Sequence, residues 1–245
     1  MPGIAQAAER LLWEQGCFSW SHYKVPGAKY SCGSADSDTV KRVVDGSIKA
    51  LASGRHQYFR KGLGLAEAWR AFPDFRSKCV YLDIETDGGQ RGDSVTTIGL
   101  YDGQDFKCLI KGIDLGNFPD VISHYSMIVT FFGAGFDLPM LQKCFPLLRL
   151  DQIHLDLCPT LRRIGLRGGL KSIERQMGIA RGDDTDGLGG QDAIRLWRRY
   201  KTLQDEAALA QLVAYNREDV VNLERLACHA YDTLKRELFG SFDAR

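Results

Sequence analysis

From Val80 to Thr86 apolar and polar residues alternate. In an extended chain Val80, Leu82 and Ile84 fall on one side, and Tyr81, Asp83 and Glu85 on the other. Two further runs, 94–101 and 105–110, read as strands joined through Asp102-Gly103, a dipeptide suited to a hairpin turn. The continuous apolar run 127–132 predicts a fourth strand, in the interior of a sheet. Elsewhere the period is helical. It predicts helices over 7–15, closed by Gly16, over 38–52, with Val40, Val43, Val44, Ile48 and Leu51 on one stripe, and over 65–72, ended by Pro73. More helices follow at 138–145, 170–177 and 191–200, and a long one at about 205–238. A three-strand meander, one more strand and then helices predict an α/β chain with a mixed β-sheet flanked by helices and a small helical N-terminal segment. The segments divide at 1–30, a connector at 31–77, and the main domain at 78–240.

Composition narrows the partners. With 245 residues, 44% hydrophobic and 26% charged, the chain has the make-up of an ordinary soluble globular protein. Lys plus Arg number 32 against 31 for Asp plus Glu, so there is no bulk field to attract nucleic acid, and any such partner must be held by local basic patches. The seven Cys are scattered without C-x-x-C or zinc-type spacing, and no signal peptide precedes them; this predicts reduced thiols in a cytoplasmic protein. No apolar run reaches the ~20 residues of a membrane helix.

The candidate chemistry lies in acids set among apolar residues. Asp83 and Glu85 are poor strand formers that repel each other; either the strand is an exposed edge with a polar face, or a divalent cation offsets the repulsion. Asp137 follows Gly133-Ala134-Gly135-Phe136, where the fourth strand gives way to a helix. It reads as an N-cap ahead of Pro139, or as a third acid of a site, the two glycines marking close backbone approach. On the last helix the inward stripe Leu212, Tyr215, Asp219, Leu223, Leu226, Ala230 carries an Asp, which is costly there unless paired or metal-bound. Arg217, Glu218, Glu224 and Arg225 point elsewhere. Three basic groups remain open between solvated surface and phosphate contact: Arg162, Arg163, Arg167 and Lys171; Arg195, Arg198, Arg199 and Lys201; and 55–61 with His56, Tyr58 and Phe59. His154 and Asp156 read as structural, with no second His nearby to complete a metal site.

The strand D-x-E (Asp83, Glu85), the later F-D (Asp137) and Y-x-x-x-D on the last helix (Tyr215, Asp219) resemble the three motifs of the DEDD, or DnaQ-like, 3′–5′ exonuclease superfamily. Ala214 stands where the histidine subtype has His, so the likeness is to the tyrosine subtype. The resemblance spans about 78–238 and implies a ribonuclease-H-like fold. It implies metal ligation by Asp83, Glu85, Asp137 and Asp219, with Tyr215 orienting the attacking water. Oxygen ligands alone suit hard cations, Mg²⁺ or Mn²⁺, and two such ions would serve phosphodiester hydrolysis. The expected substrate is nucleic acid, single-stranded DNA ahead of RNA. The alternatives are an exoribonuclease with the same site and a catalytically silent nucleic-acid-binding module. The chain also resembles bacterial stand-alone ribonuclease-H-like proteins with a helix-hairpin-helix-like N-terminus. Pro2-Gly3-Ile4 matches that opening, although Ala5 stands where a second glycine is expected and no first helix precedes it.

Overall fold

A computed structural model describes residue 1 and residues 4–240. Pro2-Gly3, the core of the helix-hairpin-helix-like opening, lies outside the described residues. Five strands, β1 (Cys79–Thr86), β2 (Val95–Tyr101), β3 (Phe106–Ile110), β4 (Met127–Thr130) and β5 (Ile153–Asp156), form one sheet in the order β3-β2-β1-β4-β5. The meander β1-β2-β3 is antiparallel, whereas β4 and β5 run parallel to β1. The chain is therefore the mixed α/β architecture that its patterning predicts. Among the helices are α1 (Gln6–Glu14), α2 (Trp20–Tyr23), α3 (Ser37–Ala52), α4 (His56–Leu63), α5 (Phe72–Phe75) and α6 (Phe118–Ile122). They continue with α7 (Asp137–Cys144), α8 (Leu157–Arg163), α9 (Leu170–Gln176), α10 (Gly190–Leu203) and the 34-residue α11 (Glu206–Phe239).

Alternation along β1 decides what faces what. Val80, Leu82 and Ile84 enter an apolar cluster with Ile98, Leu100 and Ile128, which α6 and α7 cover through Phe118, Ile122, Met140 and Leu141. Cys79 and Tyr81 point the other way, into the larger core built with Val129, Leu155 and the α11 residues Val220, Leu223 and Leu226. Asp83 and Glu85 continue that second face toward the end of the strand, beneath the N-terminal half of α11. This corrects the edge-strand reading. β1 is the middle strand of the sheet and no exposed edge, paired with β4 over Cys79–Tyr81 and with β2 over Tyr81–Thr86; beyond Tyr81 its β4 side is unpaired, and there lie Asp83 and Glu85.

Other expectations are revised locally. Residues 65–71 form a 3₁₀ helix, and Pro73 does not end it but sits in the first turn of α5, where its missing N–H leaves no helical bond unmade. The aromatic half of 55–61 packs inward: Phe59 is buried, Tyr58 Oη donates to the Val43 carbonyl at 3.2 Å, and His56 Nε2 lies 3.3 Å from Asp151. A small separate cluster of Leu12, Cys17, Cys32, Val40 and Val44 ties α1 to α3. Among the described residues no helix is long and apolar enough to cross a membrane.

Candidate active site

The C-terminal ends of β1 and β4, the start of α9 and the middle of α11 border a cleft of 590 Å³. Asp83, Glu85, Asp137, Tyr215 and Asp219 all line it. A carboxylate oxygen from each of Asp83, Glu85 and Asp219 lies within 4.8 Å of the others, although 133 and more residues separate the first two from the third. Two unit charges at ~4 Å in surroundings of effective dielectric ~20 repel by about 4 kcal/mol, so three ionised acids at this spacing require cations. Burial raises the pKa of Asp83, Glu85 and Asp219; the neighbouring carboxylates add to the rise at Asp83 and Glu85, while Arg181 opposes it at Asp219. Oxygen-only donors, a mutual spacing that one ion can span, and three clustered acids of which only Asp219 is paired with an Arg together fit a hard divalent cation.

Asp137 enters differently. It is the first residue of α7, with Phe136 and not Asp137 at the cap position, and its Oδ1 accepts from the Ile84 N–H at 3.1 Å. The N-cap reading is thereby corrected: this carboxyl reaches back to β1 and stands between the two acids of that strand. Burial first pushes its pKa up to about 7, its backbone hydrogen bonds hold the rise back, and Asp156 and Asp219 add to it. The glycines ahead of it fit their own turn and not a ligand. A Cβ on Gly133 would lie 2.1 Å from Thr130 Oγ1, and one on Gly135 would lie 2.6 Å from the Phe132 ring. Asp156 braces that turn, its carboxylate accepting from the Phe132 and Ala134 N–H groups at 2.8 and 3.0 Å. His154 bonds Thr130 at 2.9 Å, so both residues serve the scaffold.

Several residues that give the site its character carry no sequence signal of their own. Asn216, fully buried, donates through Nδ2 to Asp83 Oδ2 at 3.0 Å. It occupies room that Gly99 leaves on β2, where a Cβ would come within 2.1 Å of Asn216 Oδ1. Arg181, in the loop after α9, binds Glu174 through Nε and Nη2 at 2.8 Å each and Asp219 Oδ1 through Nη2 at 2.5 Å. Glu218, read as pointing elsewhere, accepts the Gly182 N–H at 2.8 Å and so pins that loop to α11.

Of the basic residues singled out, the cleft takes in only Lys171. Its Nζ donates to Tyr215 Oη at 3.0 Å and lies 4.3 Å from the centre of the Tyr215 ring. Arg163 is spent on the Ala66 carbonyl at 2.5 Å, while Arg162 and Arg167 are exposed outside the cleft. On α10, Arg195 pairs with Asp192 and Arg199 with Asp205 at the surface. Burial, with Asp219 and Glu85 nearby, holds the Tyr215 hydroxyl far above its ordinary pKa, so it stays protonated and serves as a hydrogen-bonding group.

A five-stranded mixed sheet with an acidic cleft at the strand ends, closed by a long C-terminal helix, is the architecture of a ribonuclease-H-like domain. A family model described as RNase_H superfamily matches residues 80–231, more than half of the chain, and the chain belongs to that superfamily. Membership points to nuclease chemistry on a nucleic acid with divalent metal, for which Asp83, Glu85 and Asp219 are the available ligands. No curated protein matches the chain.

Proposed function

We propose that this protein is a cytoplasmic 3′–5′ exonuclease of the DEDD tyrosine subtype that hydrolyses phosphodiester bonds at the end of a single DNA strand. The observation that carries this reading is the meeting of Asp83, Glu85 and Asp219 within 4.8 Å in a cleft that Asp137 and Tyr215 also line. The four carboxylates would hold two Mg²⁺ or Mn²⁺ ions, which supply Lewis-acid stabilisation of the attacking and leaving oxygens. Asn216 fixes one oxygen of Asp83 and Arg181 one oxygen of Asp219, so each acid keeps an oxygen for a ligand. Tyr215, protonated and held by Lys171, orients the attacking water through its hydroxyl oxygen. Lys171 binds a phosphate oxygen within the cleft, and the exposed Arg162 and Arg167 serve phosphates farther along the strand, while Arg163 stays with the Ala66 carbonyl. The catalytic domain is taken as 78–240, preceded by a helix-hairpin-helix-like segment at 1–30 and a helical connector at 31–77 whose Phe59, Trp69 and Phe72 share the core of β1 and α11.

A 5′-labelled strand, offered as DNA and as RNA with and without Mn²⁺, tests this reading. The parent should yield a ladder shortening from the 3′ end, faster on DNA, while Asp83→Asn and Asp219→Asn yield none and keep the parent's circular dichroism. Faster loss of the RNA strand would move the assignment to an exoribonuclease. Degradation by both variants at the parent's rate would remove the site from the reaction.

A further inference from the structure

A second cleft, of 520 Å³, lies along β5, the edge strand of the sheet. Its size falls within the ~300–1,000 Å³ of small-molecule sites. Residues of α4 and of the 3₁₀ helix after it form one wall, and α7 forms the other. The β4–α7 turn separates it from the acidic cleft: Phe132 and Phe136 line the latter, Ala134 and Leu138 this one. Its rim carries Arg60, exposed and without a hydrogen bond or ion pair among the described residues. Leu63, Leu138 and Leu150 make half-buried apolar walls. The floor is polar. Gln152, 5% exposed, donates through Nε2 to the Ile122 carbonyl at 3.1 Å, which fixes the orientation of its amide, yet its Oε1 accepts nothing. Buried acceptors without a donor are rare, and beside a cleft a bound donor accounts for one. His154 shares that floor. Thr130 Oγ1 accepts from the Gly133 N–H at 3.1 Å, so its own proton goes to His154 Nε2 at 2.9 Å. Burial lowers the His154 pKa, so the neutral ring carries its proton on Nδ1, a donor with no partner among the described residues.

We propose that this second cleft binds a nucleoside monophosphate, with the base on Gln152 and His154 and the phosphate on Arg60. A nucleobase sets an N–H donor beside a ring-nitrogen or carbonyl acceptor, the complement of Gln152 Oε1 and His154 Nδ1–H. The apolar walls take the faces of the base, and the phosphate reaches the guanidinium at the rim. Hydrogen-bonding groups at the floor, carbon along the walls and a cation at the mouth follow the order of base edge, base face and phosphate. A nuclease site across one turn brings this class of molecule to the spot, and to that extent alone the proposal rests on the nuclease reading. The same chemistry is offered by a free nucleotide and by one nucleotide of a strand.

Calorimetric titration of the metal-free protein is the test, with 2′-deoxyadenosine 5′-monophosphate and the same nucleotide lacking its amino group as probes. The parent should bind the amino form about tenfold more tightly, the upper range of one hydrogen bond. Gln152→Met should bring that ratio near unity. Arg60→Gln, a change at an exposed side chain, should weaken both nucleotides by about tenfold and keep the ratio. Asp83→Asn, in the acidic cleft, should bind both as the parent does. Equal binding of the two probes by the parent, or a ratio that survives in Gln152→Met, overturns the site. Loss of binding in Asp83→Asn with Arg60→Gln unaffected places the nucleotide in the acidic cleft and overturns it as well. If circular dichroism shows Gln152→Met unfolded, the parent's ratio and the Arg60→Gln loss decide between them. A five-residue deoxyadenylate strand then separates the sources. Its weakening by Arg60→Gln makes the cleft a station on a strand, and an effect confined to the mononucleotide makes it a site for free nucleotide. No metal is present, so failure here leaves the nuclease reading standing, and failure of strand degradation in Mn²⁺ leaves this site standing.

Discussion

At Asp219 the decisive neighbour is a cation that belongs to the chain. Arg181, with 4% of its side chain exposed, holds Asp219 and Glu174 together, and both carboxylates are buried. Removing one member of such a set leaves uncompensated charge, which costs ~3–5 kcal/mol. Arg181→Met should therefore melt about 10 °C below the parent, and added Mn²⁺ should recover part of that loss by taking over the freed Asp219 oxygen; scanning calorimetry with and without metal reads both. Asp137 sets a pH dependence of definite sign. Its pKa rises from 3.8 in the unfolded chain to about 7 in the folded one, so between these values the native state binds the extra proton. The metal-free protein should lose stability as pH rises through that window, and urea titrations at pH 5 and pH 7 should show a smaller difference for Asp137→Asn than for the parent. Metal binding expels the proton, so stabilisation by Mn²⁺ should be greater at pH 7 than at pH 5.

At the scale of elements, the site depends on β2 and α11 approaching closely. Gly99 lies opposite Asp83 in the ladder, and the space above it is filled by Asn216. Gly99→Ala should cost ~1–3 kcal/mol by overpacking and should lower activity as well, because the residue it displaces orients Asp83; Tm and strand-degradation rate measured together test this. The sequence was most legible where a face alternates or repeats. Asp83 and Glu85 were readable because β-alternation separates them from Val80, Leu82 and Ile84, and Asp219 because it interrupts an apolar stripe. What depends on pairing between distant elements was not readable. Asn216, Arg181 and Gly99 acquire their roles only when α11 lies over β1 and β2. Asp137 looked like a cap because its partner, the Ile84 N–H, is 53 residues away. The strand β5 has four residues, too few for a periodic signal, and its Asp156 is recognisable as the brace of the Phe132 turn only from its acceptor bonds.

For the whole molecule, a formal net charge of +1 leaves strand binding to a few local cations. The salt dependence of binding should then be shallow, with each phosphate neutralised on a single strand contributing a slope of ~0.7 in log K against log salt. Lys171→Gln should reduce the slope by about that amount, as fluorescence anisotropy over a salt series would show. Everything else follows from convergence of the acids. Asp83 and Glu85 come from the central strand, Asp137 from the first turn of a helix on one face of the sheet, and Asp219 from a helix on the other. The most direct measurement is a Mn²⁺ titration followed by the electron paramagnetic resonance of free Mn²⁺. The account predicts two ions bound per chain by the parent, and weakened binding with loss of at least one ion for Asp83→Asn and for Asp219→Asn. Equal stoichiometry and affinity in the parent and both variants would contradict it.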